Sequence, residues 1–322
     1  LGSFLITGVS GFLGSSLAER LLADGHRVLG VDVTPNTSTK RILSHDLRGS
    51  GVEEMFTYCE ADLTVDDIGE LLGGVDCLFH LAGNSDQRID IDHFPRVLAD
   101  NTIATSMLAK ALARCDWPIR VVNASSWRVY GHYDLRLIDE HMRCGPRDIV
   151  GHTKFQAERI LSGLDLPTVS VLSLRFFPLY GVGDAPGSLI SRLISETLAR
   201  GYLMAPRDLT LTRDLTYIDD AVSALICAAR SKYVGAVNVG GGPVAFLQLA
   251  DLLEGALACP IEVRSNKDDY LDFPTPIANV NSAKYNLRYI PTVRLVDGIS
   301  RMCADLTMRG TSDALSLTPS AS

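Results

Sequence analysis

Three glycines carry the first chemistry legible in this chain. TGVSGFLG sets Gly8, Gly11 and Gly14 directly after a short apolar run, and the helical pattern SSLAERLLADG follows. In that setting Gly8 serves a tight turn, Gly11 lets the backbone approach a pyrophosphate, and Gly14 lets helix and strand pack closely. The free N–H groups at the helix start, around Phe12 and Leu13, then face the phosphates. The second apolar run ends in Asp32, whose carboxylate can accept both hydroxyls of a ribose and would repel a 2′-phosphate. No arginine follows within the next few residues, so the expected cofactor is NAD rather than NADP.

Two further stretches could line the same site. Asp62 and Leu63 close a third apolar run, where a carboxylate could receive an adenine amino group. Leu81, Ala82 and Gly83, in HLAG, are small enough to let backbone pass beside a dinucleotide. His80 in that motif reads first as a satisfied core histidine. Metal chemistry is not expected: the seven cysteines form no CxxC and the seven histidines no HExxH.

These residues need elements to position them. FLIT (4–7), RVLGVDV (27–33), VDCLFHLA (75–82), IRVVNAS (119–125) and TVSVLSLRFF (168–177) read as buried strands, with helical spacing over 12–24, 64–72, 94–114 and 152–163. Continuous apolar strands separated by helices indicate an α/β fold, a Rossmann-type doubly wound parallel sheet. The expected division is a cofactor domain over 1–178, its sheet completed by parts of 213–242, and a smaller C-terminal substrate-binding lobe over 179–309. The polar tail 310–322 is expected to be disordered.

Composition excludes several classes. Net charge is −8 with no run dense in Lys and Arg, which argues against a nucleic-acid partner. No apolar stretch approaches a membrane span, and the chain enters a strand without a signal-peptide pattern, so a cytoplasmic protein is expected.

The remaining motifs resemble one family. SSWRVYG (125–131), LRFFPLYGVG (174–183), TRDLTYIDDAV (212–222), VNVGGG (237–242) and KYNLRYIPTVRLVDGI (284–299) are similar to segments of the extended short-chain dehydrogenase/reductases, the NAD-dependent sugar-nucleotide epimerase/dehydratase family. The resemblance covers almost the whole chain. It implies that Asn101 lies beside the cofactor, that Ser126 hydrogen-bonds a substrate hydroxyl, and that Lys154 holds the nicotinamide ribose and supplies positive charge. It also places Arg88, Trp127, Pro178, Tyr180 and Arg213 toward the substrate, Arg213 as a phosphate partner. Family members commonly dimerise through the helices at 94–114 and 152–163, here carrying Leu98, Met107, Leu108, Phe155 and Ile160, so a homodimer is expected.

One position departs from that pattern. The family's Tyr-x-x-x-Lys aligns without a gap on PRDIVGHTK, which puts Val150 in the tyrosine's place. Oxidising an alcohol needs a group that accepts the hydroxyl proton, and losing a positioned base commonly costs about 10²- to 10⁴-fold. His152 is the replacement candidate on the same turn, with Tyr130, His132 and Tyr180 in substrate-facing segments. Trp127 and Arg128 stand where dehydratases and decarboxylases of the family carry an acid, and Pro178 replaces an asparagine. Asp269 replaces an arginine that clamps the diphosphate, a loss of about 1.5–3 kcal/mol, which Lys267 could offset.

Three readings follow. The chain is an NAD-binding enzyme acting on a nucleotide-sugar or related sugar with a non-standard acid/base. Alternatively it is a recruited natural-product enzyme whose altered chemistry serves another small-molecule substrate. The third reading is a non-catalytic NAD-binding sensor or partner subunit.

Overall fold

A computed structural model describes residues 2–34, 52–85, 93–131, 137–205, 211–265 and 276–316. The chain forms two compact units: Leu1–Phe177 with Ala221–Val239 and Ala278–Ile290, and Pro178–Asp220 with Gly240–Ile277 and Pro291–Ser322.

The first unit is built on a seven-stranded sheet. Its strands, numbered in chain order, are β1 (Ser3–Thr7), β2 (Arg27–Asp32), β3 (Phe56–Glu60), β4 (Cys77–His80), β5 (Ile119–Ser126), β6 (Val169–Phe176) and β7 (Gly235–Val239). They lie in the order β7-β6-β5-β4-β1-β2-β3, and every pairing is parallel. The sheet is the doubly wound one expected from the alternating runs. Its order reverses between β1 and β4, where Thr7 pairs with His80. The carboxyl ends of strands at such a switch point leave the crevice in which α/β folds bind dinucleotides.

Helices cover the sheet because their apolar residues recur every three to four positions. In Phe12–Ala23 the buried stripe is Gly14, Leu17, Ala18, Leu21 and Leu22. Another core layer joins Leu5, Leu78 and Val121 of the sheet to Leu108, Leu112 and Leu161 of two helices. Leu108, expected on an outer face, is therefore core, while Phe155 packs against Val129, Tyr130 and Ile138. Leu98 and Ile103 are exposed.

Several elements differ from the sequence expectation. The stretch 64–72 holds only a 3₁₀ turn, Gly69–Leu72, because Asp66, Asp67 and the glycines around Leu71 favour turns over helix. The segment 94–114 is Phe94–Leu98 and Ala104–Leu112, joined by a π-helical turn at Ala99–Ile103. The helix carrying Lys154 begins at Ile149, capped by Asp148, whose Oδ1 accepts from the Gly151 N–H at 2.7 Å. Ala278–Ile290, assigned from sequence to the lobe, belongs to the first unit. The last helix, Leu295–Ser316, runs into the stretch expected to be a disordered tail.

The second unit contains Leu179–Tyr180 paired with Thr216–Tyr217, Thr212–Asp214 paired with Pro243–Ala245, and Tyr202–Ala205 paired with Glu262–Ser265. Helices Leu189–Arg200, Phe246–Leu257 and Leu295–Ser316 complete it.

Candidate active site

The turn after β1 forms a cradle. Gly8 adopts φ +72°, and a Cβ there would meet the Ala82 nitrogen at 2.6 Å. A Cβ on Gly14 would collide with the Gly8 carbonyl. Both positions therefore demand glycine, and they bring β1, the loop after β4 and the first helix together. Gly11 starts that helix with no side-chain cap, leaving the first-turn N–H groups around Phe12 and Leu13 open to an anion. Asp32 ends β2 in the same cradle: Oδ2 accepts from Ser10 N at 2.9 Å and Oδ1 from Thr34 N at 3.1 Å. Its carboxylate is thus fixed beside the loop, with further lone pairs for ribose hydroxyls. These features fit a dinucleotide.

The outer cofactor candidates are placed less directly. Asp62 lies past β3, and Oδ1 accepts from both the hydroxyl (2.7 Å) and the N–H (2.8 Å) of Thr64. Those two bonds, the hydroxyl first, hold its pKa below the usual value. Leu63 is core. Leu81 and Ala82 follow β4, with Leu81 N donating to Thr7 O at 3.1 Å.

His80 is the core histidine expected. Nδ1 lies 2.9 Å from Thr7 Oγ1 and Nε2 lies 2.9 Å from Thr105 Oγ1. Thr105 gives its own proton to Asn101 O at 2.5 Å, so Nε2 of His80 is the donor and the ring is the neutral Nε2–H tautomer. Burial, reinforced by the nearby Lys154 charge, lowers its pKa to about 3. This ring does not move protons at neutral pH.

Asn101 sits in the π-helical turn, a distortion common at functional sites. It is buried; Oδ1 accepts from Asn84 N at 2.7 Å, while Nδ2 donates to Asn84 O and to Thr153 Oγ1, each at 2.9 Å. Asn101 thereby ties the loop after β4 to the helix of Lys154. Gly83 shows how close these parts are: a Cβ there would lie 2.5 Å from Asn101 Oδ1 and 2.9 Å from Lys154 Nζ.

Lys154 is half-buried, and Nζ donates to Ala124 O on β5 at 3.0 Å. Burial lowers its pKa from 10.5 to about 8. No carboxylate lies within ion-pair distance of it among the described residues. Two residues beyond Ala124, Ser126 caps the 3₁₀ turn Trp127–Tyr130, its Oγ accepting from Arg128 N at 3.3 Å. Arg128 lies 5.1 Å from the Trp127 ring and donates to Asp148 Oδ2 at 2.6 Å, locking that turn to the start of the Lys154 helix.

Val150 is buried at 3 % exposure and lies about 40° from Lys154 around the helix. His152 lies about 200° from Val150 and is exposed, so the helix turns it away from the Val150–Lys154 face. Tyr130 is fully buried; its OH donates to Asn238 Oδ1 at 2.7 Å and accepts from Arg175 Nη1 at 2.9 Å. Burial drives that phenol's pKa upward. Arg175 also holds Glu158 through bonds of 2.9 and 2.7 Å, and Ser125 Oγ donates to Glu158 at 2.5 Å. This buried network joins β5, β6, β7 and the Lys154 helix. Sequence reasoning missed it, because it links positions far apart in the chain that individually read as core.

Pro178, Tyr180 and Arg213 belong to the second unit. Pro178 O accepts from Thr216 N at 2.9 Å. Tyr180 is buried against Tyr217, ring centroids 5.3 Å apart, and burial raises its pKa. Arg213 borders an apolar cleft with Leu193, Leu211, Leu215, Phe246 and Leu249. Arg88, His132, Lys267 and Asp269 lie outside the described residues. No cluster of metal-ligating side chains occurs among the described residues, and no described helix is long and apolar enough to cross a membrane.

A parallel sheet with a glycine cradle at its switch point, an acid ending β2 and a half-buried lysine beside β5 define a dinucleotide-binding α/β protein. The sequence profile of the NAD dependent epimerase/dehydratase family matches residues 4–240, and the chain belongs to that family. It is 30% identical over 312 residues to an uncharacterized UDP-glucose epimerase, YtcB, of Bacillus subtilis (strain 168), covering 94% of this chain and 97% of the relative. It is 27% identical to a UDP-glucuronate 4-epimerase of Thermodesulfobacterium geofontis (strain OPF15), covering 94% and 95%. The crystal structure of a UDP-glucuronic acid 4-epimerase from Bacillus cereus, in complex with UDP-glucuronic acid and NAD, superposes with a TM-score of 0.83 at 27% identity. That match covers 95% of this chain and 99% of the other.

Proposed function

We propose that the chain is an enzyme that binds NAD and acts on a nucleotide-sugar, most simply a UDP-sugar, with an acid/base other than tyrosine. One observation carries the reading: Lys154, Asn101 and Gly83 converge beside β5 while the cradle at Gly8, Gly14 and Asp32 is intact. Both relatives and the superposed structure are named for UDP-sugar epimerases, which supports the substrate class.

Bound in the cradle, an oxidised nicotinamide would accept a hydride from a sugar carbon. Asp32 would hold the adenosine ribose, the open N–H groups around Phe12 and Leu13 the pyrophosphate, and Lys154 the nicotinamide ribose. Ser126 would hydrogen-bond the substrate hydroxyl; Arg213, in the second unit, is the phosphate partner that the family resemblance implies. Exposed Leu98 and Ile103 lie on helices suited to pair with a second copy, so we also propose a homodimer.

The test is incubation of the purified chain with UDP-glucose, UDP-glucuronic acid and UDP-N-acetylglucosamine, with products separated and weighed by mass spectrometry. Conversion of one of them supports the reading. Absence of both binding and conversion for all three would remove the nucleotide-sugar assignment, and NAD retained without turnover would favour the sensor.

A further inference from the structure

The site lacks the family's phenol, yet alcohol oxidation still needs somewhere for a proton to go. The groups packed around the Val150–Lys154 face can be taken in turn. From β4, His80 is locked neutral with both nitrogens engaged. From the helix itself, Glu158 is held by Arg175 and Ser125, and Asp148 caps the helix and pairs with Arg128. From the π-helical turn, Asp100 accepts from Asn84 Nδ2 at 3.0 Å and lies 3.6 Å from Arg96, while Asn101 is an amide. From β5 and its following turn, Ser126 is a hydroxyl with no base shown behind it, and the Tyr130 phenol is spent on Asn238 and Arg175.

Lys154 differs from all of these. Its described polar contact is a neutral acceptor, Ala124 O, and no carboxylate among the described residues holds it charged. Val150 adds hydrocarbon on the same helix face. An amine can satisfy Ala124 O with one N–H in either protonation state, so losing a proton breaks no bond of the fold. We propose that the neutral amine of Lys154 is itself the proton acceptor of this chain, a proposal that rests on the enzyme reading above. In the oxidative step the substrate O–H bond breaks and its proton forms a new N–H bond on Nζ. The electron pair of the O–H bond becomes the second bond of the carbonyl, and the C–H pair leaves as hydride to the oxidised nicotinamide. On reduction the ammonium returns the proton. The lowered pKa of about 8 leaves roughly a quarter of the amine neutral at pH 7.5, against well under one per cent for an ordinary lysine.

The chain has six lysines, so labelling them with ¹³C at Cε gives a spectrum in which Lys154 is assigned by its loss in Lys154→Arg. The experiment titrates that resonance in the full chain as purified, and in parallel measures bound dinucleotide and turnover for the parent, Lys154→Arg and Lys154→Met. The proposal expects a midpoint near pH 8, parent kcat/KM rising through the same midpoint, and both variants slowed about 10²- to 10⁴-fold when assayed at saturating NAD. A midpoint above 10, or a variant that keeps dinucleotide and near-parental turnover, overturns the proposal while leaving the enzyme reading standing. If the parent itself neither holds dinucleotide nor converts any UDP-sugar, the enzyme reading fails and the proposal falls with it.

Discussion

Lys154 Nζ lies 3.0 Å from the carbonyl oxygen of Ala124, two residues before Ser126 on the same strand. That contact puts the amine and the hydroxyl expected to meet the substrate on one rigid frame. It also takes a charge out of water without an anionic partner. The cost should be visible in stability. Folding lowers the Lys154 pKa to about 8, whereas the unfolded chain keeps the proton to about 10.4. Between those values the unfolded state binds more protons, so parental stability rises with pH relative to Lys154→Met. Denaturant unfolding at pH 7 and pH 10 should show the parent gaining about 1–3 kcal/mol on the variant. A difference that does not change with pH contradicts the buried, unpaired amine.

Asp32 is expected to set the choice of dinucleotide. Asp32→Asn keeps the side chain's shape but removes the charge expected to pair with ribose hydroxyls and to repel a 2′-phosphate. Calorimetric titration should show NAD weakened by about 1.5–3 kcal/mol and the handicap of NADP reduced. Equal weakening of both would assign Asp32 only to holding the Ser10 and Thr34 amides.

Val150 occupies the position where a phenol would sit four residues before Lys154. Val150→Tyr is expected to raise turnover on the accepted nucleotide-sugar at pH 7 by about tenfold or more, because a phenol beside an ammonium titrates lower and accepts a proton readily. Steady-state rates check this, with bound dinucleotide confirming that the variant is folded. Unchanged or lower turnover in a folded, loaded variant would show that the chemistry no longer uses this position.

The cradle and the sheet were legible in the sequence because their constraints are local. A β-turn such as Gly8 needs positive φ, and a parallel strand such as Val121–Val122 must be apolar on both faces. The π-helical turn around Asn101 was not legible. One extra residue in a helical pattern leaves the apolar spacing on either side nearly unchanged. His152 was drawn into consideration by adjacency in sequence, but two helical residues amount to a turn of about 200°. The Glu158–Arg175–Tyr130–Asn238 network was hidden for the opposite reason, since its members are joined only when four elements pack together.

His80 supplies a second pH signature. Its folded pKa of about 3 lies below the unfolded value near 6.5, so its contribution is full above about pH 6.5 and is lost as pH falls toward 3. Between pH 6.5 and 4 the parent should lose about 2–4 kcal/mol more than His80→Gln, which cannot take up a proton. Parallel slopes in denaturant unfolding would place His80 in a wetter setting than its bonds to Thr7 and Thr105 imply.

An enzyme that keeps an intact cradle while Val150 stands four residues before Lys154 should still carry or take up NAD. Denaturing the purified protein and weighing the released small molecules tests it most directly. NAD rather than NADP is expected, close to one per chain or recovered in full after incubation with NAD. Failure to bind NAD even when it is supplied in excess would rule out an NAD-dependent enzyme.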